Sequence, residues 1–113
     1  MIVTIFRSRL VPEATEEYAL VAERMSELAR STPGHVSHKT FTAEDGERVT
    51  IVEFATREAQ QAWATHPDHI AARKRGRTQF YSEYRLQVCR VERSSEKQRA
   101  SAPSSANASA TGG

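Results

Sequence analysis

The chain carries a single cysteine, Cys89, among its 113 residues, so it can form no internal disulfide, and the composition suits a reducing compartment. No segment approaches the ~20 consecutive apolar residues that cross a bilayer as a helix, so no membrane partner is expected. The first residues, Met1-Ile2-Val3-Thr4-Ile5-Phe6, form a strand-like run with neither a basic n-region nor a cleavage site. The expectation is therefore a cytoplasmic protein without a targeting leader. Charge of one sign is lacking too: 16 Lys and Arg stand against 14 Asp and Glu, a net +2, which gives no reason to expect nucleic acid. Paired Cys spacing, a His-Glu-x-x-His run and a Gly-rich phosphate loop are all missing, so no metal site is expected. From Ser94 to Gly113 there is no Val, Ile, Leu, Met or aromatic residue. Such a stretch cannot bury enough apolar surface to offset its ordering entropy. Residues 94–113 are expected to be a disordered tail and residues 1–93 one domain.

What is present reads as a regular series of elements. Ile2 to Leu10 is rich in β-branched and aromatic residues and stops before Pro12, a first strand. Pro12 suits a helix's first turn, and Glu13, Glu16 and Glu17 favour its positive end. Tyr18, Val21, Ala22, Met25, Leu28 and Ala29 then recur at helical spacing until Pro33-Gly34 stops the run. Strands follow at His35 to Ala43 and Glu47 to Phe54, split by Glu44-Asp45-Gly46, a hairpin signal. Thr56 is a natural N-cap for a second helix carrying Ala59, Ala62 and Trp63. His66-Pro67-Asp68-His69 interrupts this helix, and a further helical piece runs to about Arg75 with Gly76 closing it. A long last strand spans Phe80 to Glu92. The order β-α-β-β-α-β is the ferredoxin-like α+β arrangement, a four-stranded antiparallel sheet with helices on one face.

Two features imply a second copy. The first and third strands are apolar on both faces: Val3 and Ile5 oppose Ile2 and Phe6, and Val49 and Ile51 oppose Val52 and Phe54. Helices on one side leave the other side bare. The last strand is also long enough to outrun its own sheet, leaving an edge for another chain. A symmetric homodimer meets both demands.

The element order, Val49-Thr50-Ile51-Val52-Glu53-Phe54 followed by Ala55-Thr56-Arg57-Glu58-Ala59, the helix with Trp63 and the Pro67-Asp68-His69 run together resemble the antibiotic-biosynthesis monooxygenase family. That family is a branch of the dimeric α+β barrels. The resemblance covers about residues 1 to 93. It implies a homodimer with a pocket between sheet and helices, and oxidation of a small aromatic, phenolic or quinol compound by O2 with no bound cofactor. It also admits a non-catalytic ligand-binding or stress-associated dimer. Haem binding or degradation fits less well, since the first strand offers Thr4, Arg7 and Ser8 but no Asn.

The resemblance matches Trp63 to a pocket-wall tryptophan and His69 to a pocket histidine. Such chemistry needs a base that works near neutrality, which a histidine supplies. In a continuous helix His66 and His69 share a face with Trp63; the other reading makes His66 the cap of the following helix. His35 and His38, an odd number apart, fall on opposite sheet faces, and so do Tyr81 and Tyr84, of which one would enter the pocket. Arg7 either holds an anionic oxygen there or pairs with Glu53 or Glu83. Cys89 reads as a packed thiol, and Arg73-Lys74-Arg75 as the cationic end of a helix. Because the tail contributes nothing to a core, deleting residues 94–113 should leave the thermal unfolding midpoint unchanged in a calorimetric scan.

Overall fold

The computed structural model describes residues 1–14 and 16–98. Strand β1 (Ile2–Leu10) leads to helix α1 (Glu16–Ser31), the hairpin β2 (His35–Thr42) and β3 (Arg48–Phe54), then α2 (Arg57–Ala64), α3 (Pro67–Arg75), a π-helical turn at Gly76–Phe80, and β4 (Tyr81–Arg90). The sheet order is β2-β3-β1-β4, and every neighbouring pair is antiparallel. This is the expected ferredoxin-like arrangement. Pro12 and Glu13 lie in a turn ahead of α1 rather than inside its first turn. Residues 94–98 carry no regular secondary structure, and the remainder of the expected tail lies outside the described residues.

Local chemistry accounts for each boundary. Gly46, at φ 92°, closes the hairpin loop, with Ala43 N–H donating to the Glu47 carbonyl at 2.8 Å. Thr56 caps α2, its Oγ1 accepting from Ala59 N–H at 3.1 Å. The second helical region breaks at Thr65 because His66 caps α3: its Nδ1 accepts from Asp68 N–H at 3.0 Å, and Pro67 opens the helix where its missing N–H costs nothing. His66 is thereby turned out of the α2 face that a continuous helix would have shared with Trp63.

The core is small and sits at one end of the sheet. Ala29 of α1, Val52 and Phe54 of β3, and Ala59 and Trp63 of α2 pack together with Leu28 against them, and Phe54 is 0% exposed. On β1, Ile2, Thr4 and Ser8 are buried on the same helix-facing side.

The opposite sheet face bears Val3, Ile5, Val49 and Ile51 beside the exposed Phe41, and the helices leave it uncovered. The expected overrun of β4 does not occur. β4 pairs with β1 from Leu10↔Tyr81 to Ile2↔Arg90, so the two strands end together. The sequence over-counted the strand because Phe80 belongs to the π-helical turn and β4 closes at Arg90, beyond which only the Val91 N–H still reaches β1's side, donating to the Met1 carbonyl at 3.1 Å.

Gly34 joins α1 to β2 at φ 93°, and a Cβ placed there would stand 2.7 Å from the Ala59 Cβ. Left-handed backbone and close approach thus both demand glycine. Gly34→Ala should lower stability by roughly 2 kcal/mol, measured by urea unfolding; a loss under a tenth of that would refute this account of the turn.

Candidate functional site

A cleft of about 190 Å³ lies between the helix-facing side of the sheet and the helices, lined by α1, α2, α3, the π-helical turn and all four strands. One end is an aromatic stack. Trp63 lies 5.4 Å from the Phe54 ring on one side, and His69 stacks on it at 4.2 Å and 26° on the other. At the other end Tyr18, Phe80, Tyr81 and Phe6 meet edge to face with centroids 5.2–5.9 Å apart, a packing that ring quadrupoles favour.

Hydrogen bonds sort the four histidines. His69 Nδ1 lies 3.1 Å from the Trp63 carbonyl. A carbonyl only accepts, so Nδ1 carries the proton, and the neutral ring keeps its lone pair on Nε2. Burial pushes the His69 pKa down, with Arg73 and His66 adding repulsion against the Trp63 hydrogen bond, which acts the other way. His38 also lines the cleft, but both of its nitrogens are engaged. Arg30 Nη1 lies 3.4 Å from its Nε2, which must accept, so Nδ1–H donates to His35 Nε2 at 2.9 Å. Burial, His35 and Arg30 hold the His38 pKa down. His66 and His35 do not line the cleft.

His35 and His38 therefore share a sheet face, against the expectation from their spacing. A register shift between His35 and Ser37 inserts one residue and reverses the alternation. The same device acts on β4. A shift at Arg9/Leu10 brings Tyr81 opposite Leu10 and Tyr84 opposite Ser8, so both tyrosines line the cleft, 6.0 Å apart. Burial, followed by the charge of the neighbouring Tyr18 phenol and a hydrogen bond to it, pushes the Tyr81 pKa up, so Tyr81 stays protonated.

Arg7 lies outside the cleft. It is on the uncovered sheet face, where its Nε and Nη2 reach Glu47 at 2.9 and 3.0 Å, instead of Glu53 or Glu83. The cleft's cation on the sheet is Arg48, together with Thr4 a residue that sequence reading passed over. Parity could have found both, since Arg48 alternates with Val52 and Phe54, and Thr4 with Ile2 and Phe6. Three buried polar atoms have no partner among the described residues, Thr4 Oγ1, Arg48 Nε and Trp63 Nε1, and all three residues line the cleft. Unpaired buried donors are rare in folded proteins, and here they gather around one space.

Comparison with known proteins places this geometry. The family model for antibiotic biosynthesis monooxygenase matches residues 1–75. The Bacillus subtilis (strain 168) protein YqjZ is 33% identical over 76 residues, 67% of each chain. The structure of Rv0793 from Mycobacterium tuberculosis superposes with a TM-score of 0.70 at 19% identity, covering 83% of this chain and 98% of that one. SnoaB, a cofactor-independent oxygenase from Streptomyces nogalater, superposes with a TM-score of 0.68 at 16% identity, covering 82% of this chain and 94% of that one. The two structures share the fold at these identities, and the family match rests on sequence: the chain belongs to the antibiotic biosynthesis monooxygenase family.

Proposed function

We infer that the protein oxidises a small aromatic, phenolic or quinol compound with O2, without a bound cofactor, and that His69 is the base that starts the reaction. One observation carries this reading: among the four histidines, His69 alone lines the cleft with its basic nitrogen free of any hydrogen-bond partner among the described residues. Family membership and the cofactor-independent oxygenase SnoaB among its structural neighbours support the reaction type.

The chemistry needs little more than a dry, aromatic-walled cleft. A substrate ring carbon bearing two hydrogens beside a phenol is acidic, because the anion spreads over the ring. His69 Nε2 takes one proton, and the carbanion gives an electron to O2. Recombination forms a peroxide, which collapses to a carbonyl and water. The change is CH2 + O2 → C=O + H2O, with the substrate supplying all the electrons. Phe6 offers a flat apolar wall, Trp63, packed between Phe54 and His69, holds the base in place, and the protonated Tyr81 donates to the developing oxyanion. Tyr84 borders the same space. His66, whose Nδ1 is committed to the cap, takes no part in the proton transfer.

The working unit in this reading is a homodimer formed through the uncovered sheet face. Val3, Ile5, Val49 and Ile51 there form a contiguous apolar patch across β1 and β3, the kind of surface that marks an interface. Sedimentation at micromolar concentration should return the mass of two chains, and a single chain would exclude this unit.

O2 consumption with anthrone and quinol substrates tests the base. His69→Gln should lower kcat/KM by about 10²–10⁴-fold, whereas His66→Gln should lower it little. No uptake by the native protein across such a panel would overturn the oxygenase reading. The pH dependence follows from burial. Neutral His69 is favoured in the fold, so its folded pKa lies below the ordinary ~6.5. Its contribution to stability is full above that value and is lost as pH falls through the folded pKa. By the same sign, the rate should already be on its upper plateau at neutral pH, and an NMR titration of the His69 ring should give its midpoint on the acid side of ~6.5.

A further inference from the structure

The cleft has no Asp or Glu in its lining, yet Arg48, Arg73 and Arg77 all border it. Four arginines of this domain find carboxylates: Arg7 with Glu47, Arg9 with Asp45, Arg24 with Asp68 and Arg75 with Glu17. Among the described residues Arg48, Arg73 and Arg77 make no such pair. Arg73 and Arg77 are exposed, so water serves them. Arg48 is different. It is partly buried, its Nε is shut off from solvent without a partner, and its guanidinium lies over the Tyr18 ring at 5.5 Å. The ring face offsets part of the desolvation of the cation, but it accepts none of the guanidinium's in-plane hydrogen bonds. A half-buried fork of donors with no anion to receive it, facing a cleft free of negative charge, is a site for a planar anion.

We propose that the cleft selects a flat aromatic ligand bearing one carboxylate, and that Arg48 is the residue that binds the carboxylate. The proposal rests on the reading of this cleft as the aromatic-ligand site and adds the charge of the ligand. Position supports it as well. Arg48 opens β3 and Phe54 ends it, with Trp63 and His69 stacked beyond Phe54. The strand between covers about 20 Å at ~3.3 Å per residue, of which the arginine side chain spans part. The anion and the carbon that loses its proton are thus held at opposite ends of the molecule. The carboxylate stays clear of His69, where it would otherwise hold the imidazole protonated and remove the base. One cation at the far end therefore selects the ligand and sets which ring carbon meets the base.

The test uses an isosteric pair, 2-naphthoate and 2-naphthamide, which differ in charge and hardly in shape. Trp63 is the protein's one tryptophan, so its indole N–H resonance reports occupation of the cleft. In the native protein 2-naphthoate should bind about tenfold tighter or better than 2-naphthamide, the worth of a hydrogen bond to a charged group. Arg48→Gln should abolish that preference while leaving 2-naphthamide binding in place; Arg48→Lys should keep part of it. Arg73→Gln and Arg77→Gln should keep all of it. Equal affinities in the native protein would overturn the proposal alone, as would a preference that survives Arg48→Gln or is lost instead in Arg73→Gln or Arg77→Gln. If neither compound shifts the indole resonance, the aromatic-cleft reading falls together with this one. The amide's binding to Arg48→Gln keeps a folding defect distinct from loss of the anion contact.

Discussion

The wedging of Trp63 between Phe54 and His69 is the contact on which the molecule depends. Phe54 is the fully buried end of a central strand, and Trp63 is the one large apolar side chain of a helix only eight residues long. A helix that short has little stability of its own, so burial of its indole against the sheet is what holds it. The same indole then carries His69 on its outer face, while the Trp63 backbone carbonyl accepts the imidazole N–H. One residue thus docks α2, places α3 and sets which tautomer of the histidine the cleft presents. The aromatic core and the cleft histidine are parts of one packing unit.

Polar groups around the cleft are arranged by subtraction. Three of the four histidines are tied up by an N-cap, by an arginine or by one another, and the remaining one keeps a free nitrogen in surroundings that favour its neutral form. Arginines follow the same logic. Arg7 and Arg9 on the uncovered face and Arg24 and Arg75 on the helices are matched to carboxylates, whereas the half-buried cation built into the sheet beneath Tyr18 is not. Both outcomes come from which side of the sheet a residue occupies. The helix-facing side has no acidic residue among those lining the cleft, and the far side carries Glu47, bound to Arg7, Glu83, in register with Arg9, and Glu53. Charge is segregated by face.

That two-sidedness also explains the shape of the domain. One layer of helices covers one face of four strands and leaves apolar residues of β1 and β3 on the other. A chain of this length has too few residues for a second layer of its own. The cleft itself stays accessible along β4, the sheet edge that the helices leave partly uncovered. Tyr84, Leu86 and Val88 on it are each about half exposed despite pointing to the helix side.

Much of this was legible from residue order because it is set locally. Helical spacing from Tyr18 to Ala29, the Asp45-Gly46 turn, the Thr56 cap and the Pro67 start each report the conformation of a few neighbouring residues, and together they dictate β-α-β-β-α-β. Trp63 and His69 were marked out by the family resemblance, whereas spacing on a continuous helix also set His66 beside them, which the cap at His66 undoes. The facing of the strand residues was decided only by the tertiary structure. Alternation has a period of two, so one inserted residue reverses every assignment beyond it. Register shifts beside His35 and Leu10 brought His35 to the side of His38 and Tyr81 to the side of Tyr84, and nothing in the local sequence marks either shift. Partner choice was equally out of reach, because a guanidinium is drawn to whichever carboxylate the fold brings near. Arg7 met Glu47 across forty positions of chain, and the part of cleft cation passed to Arg48.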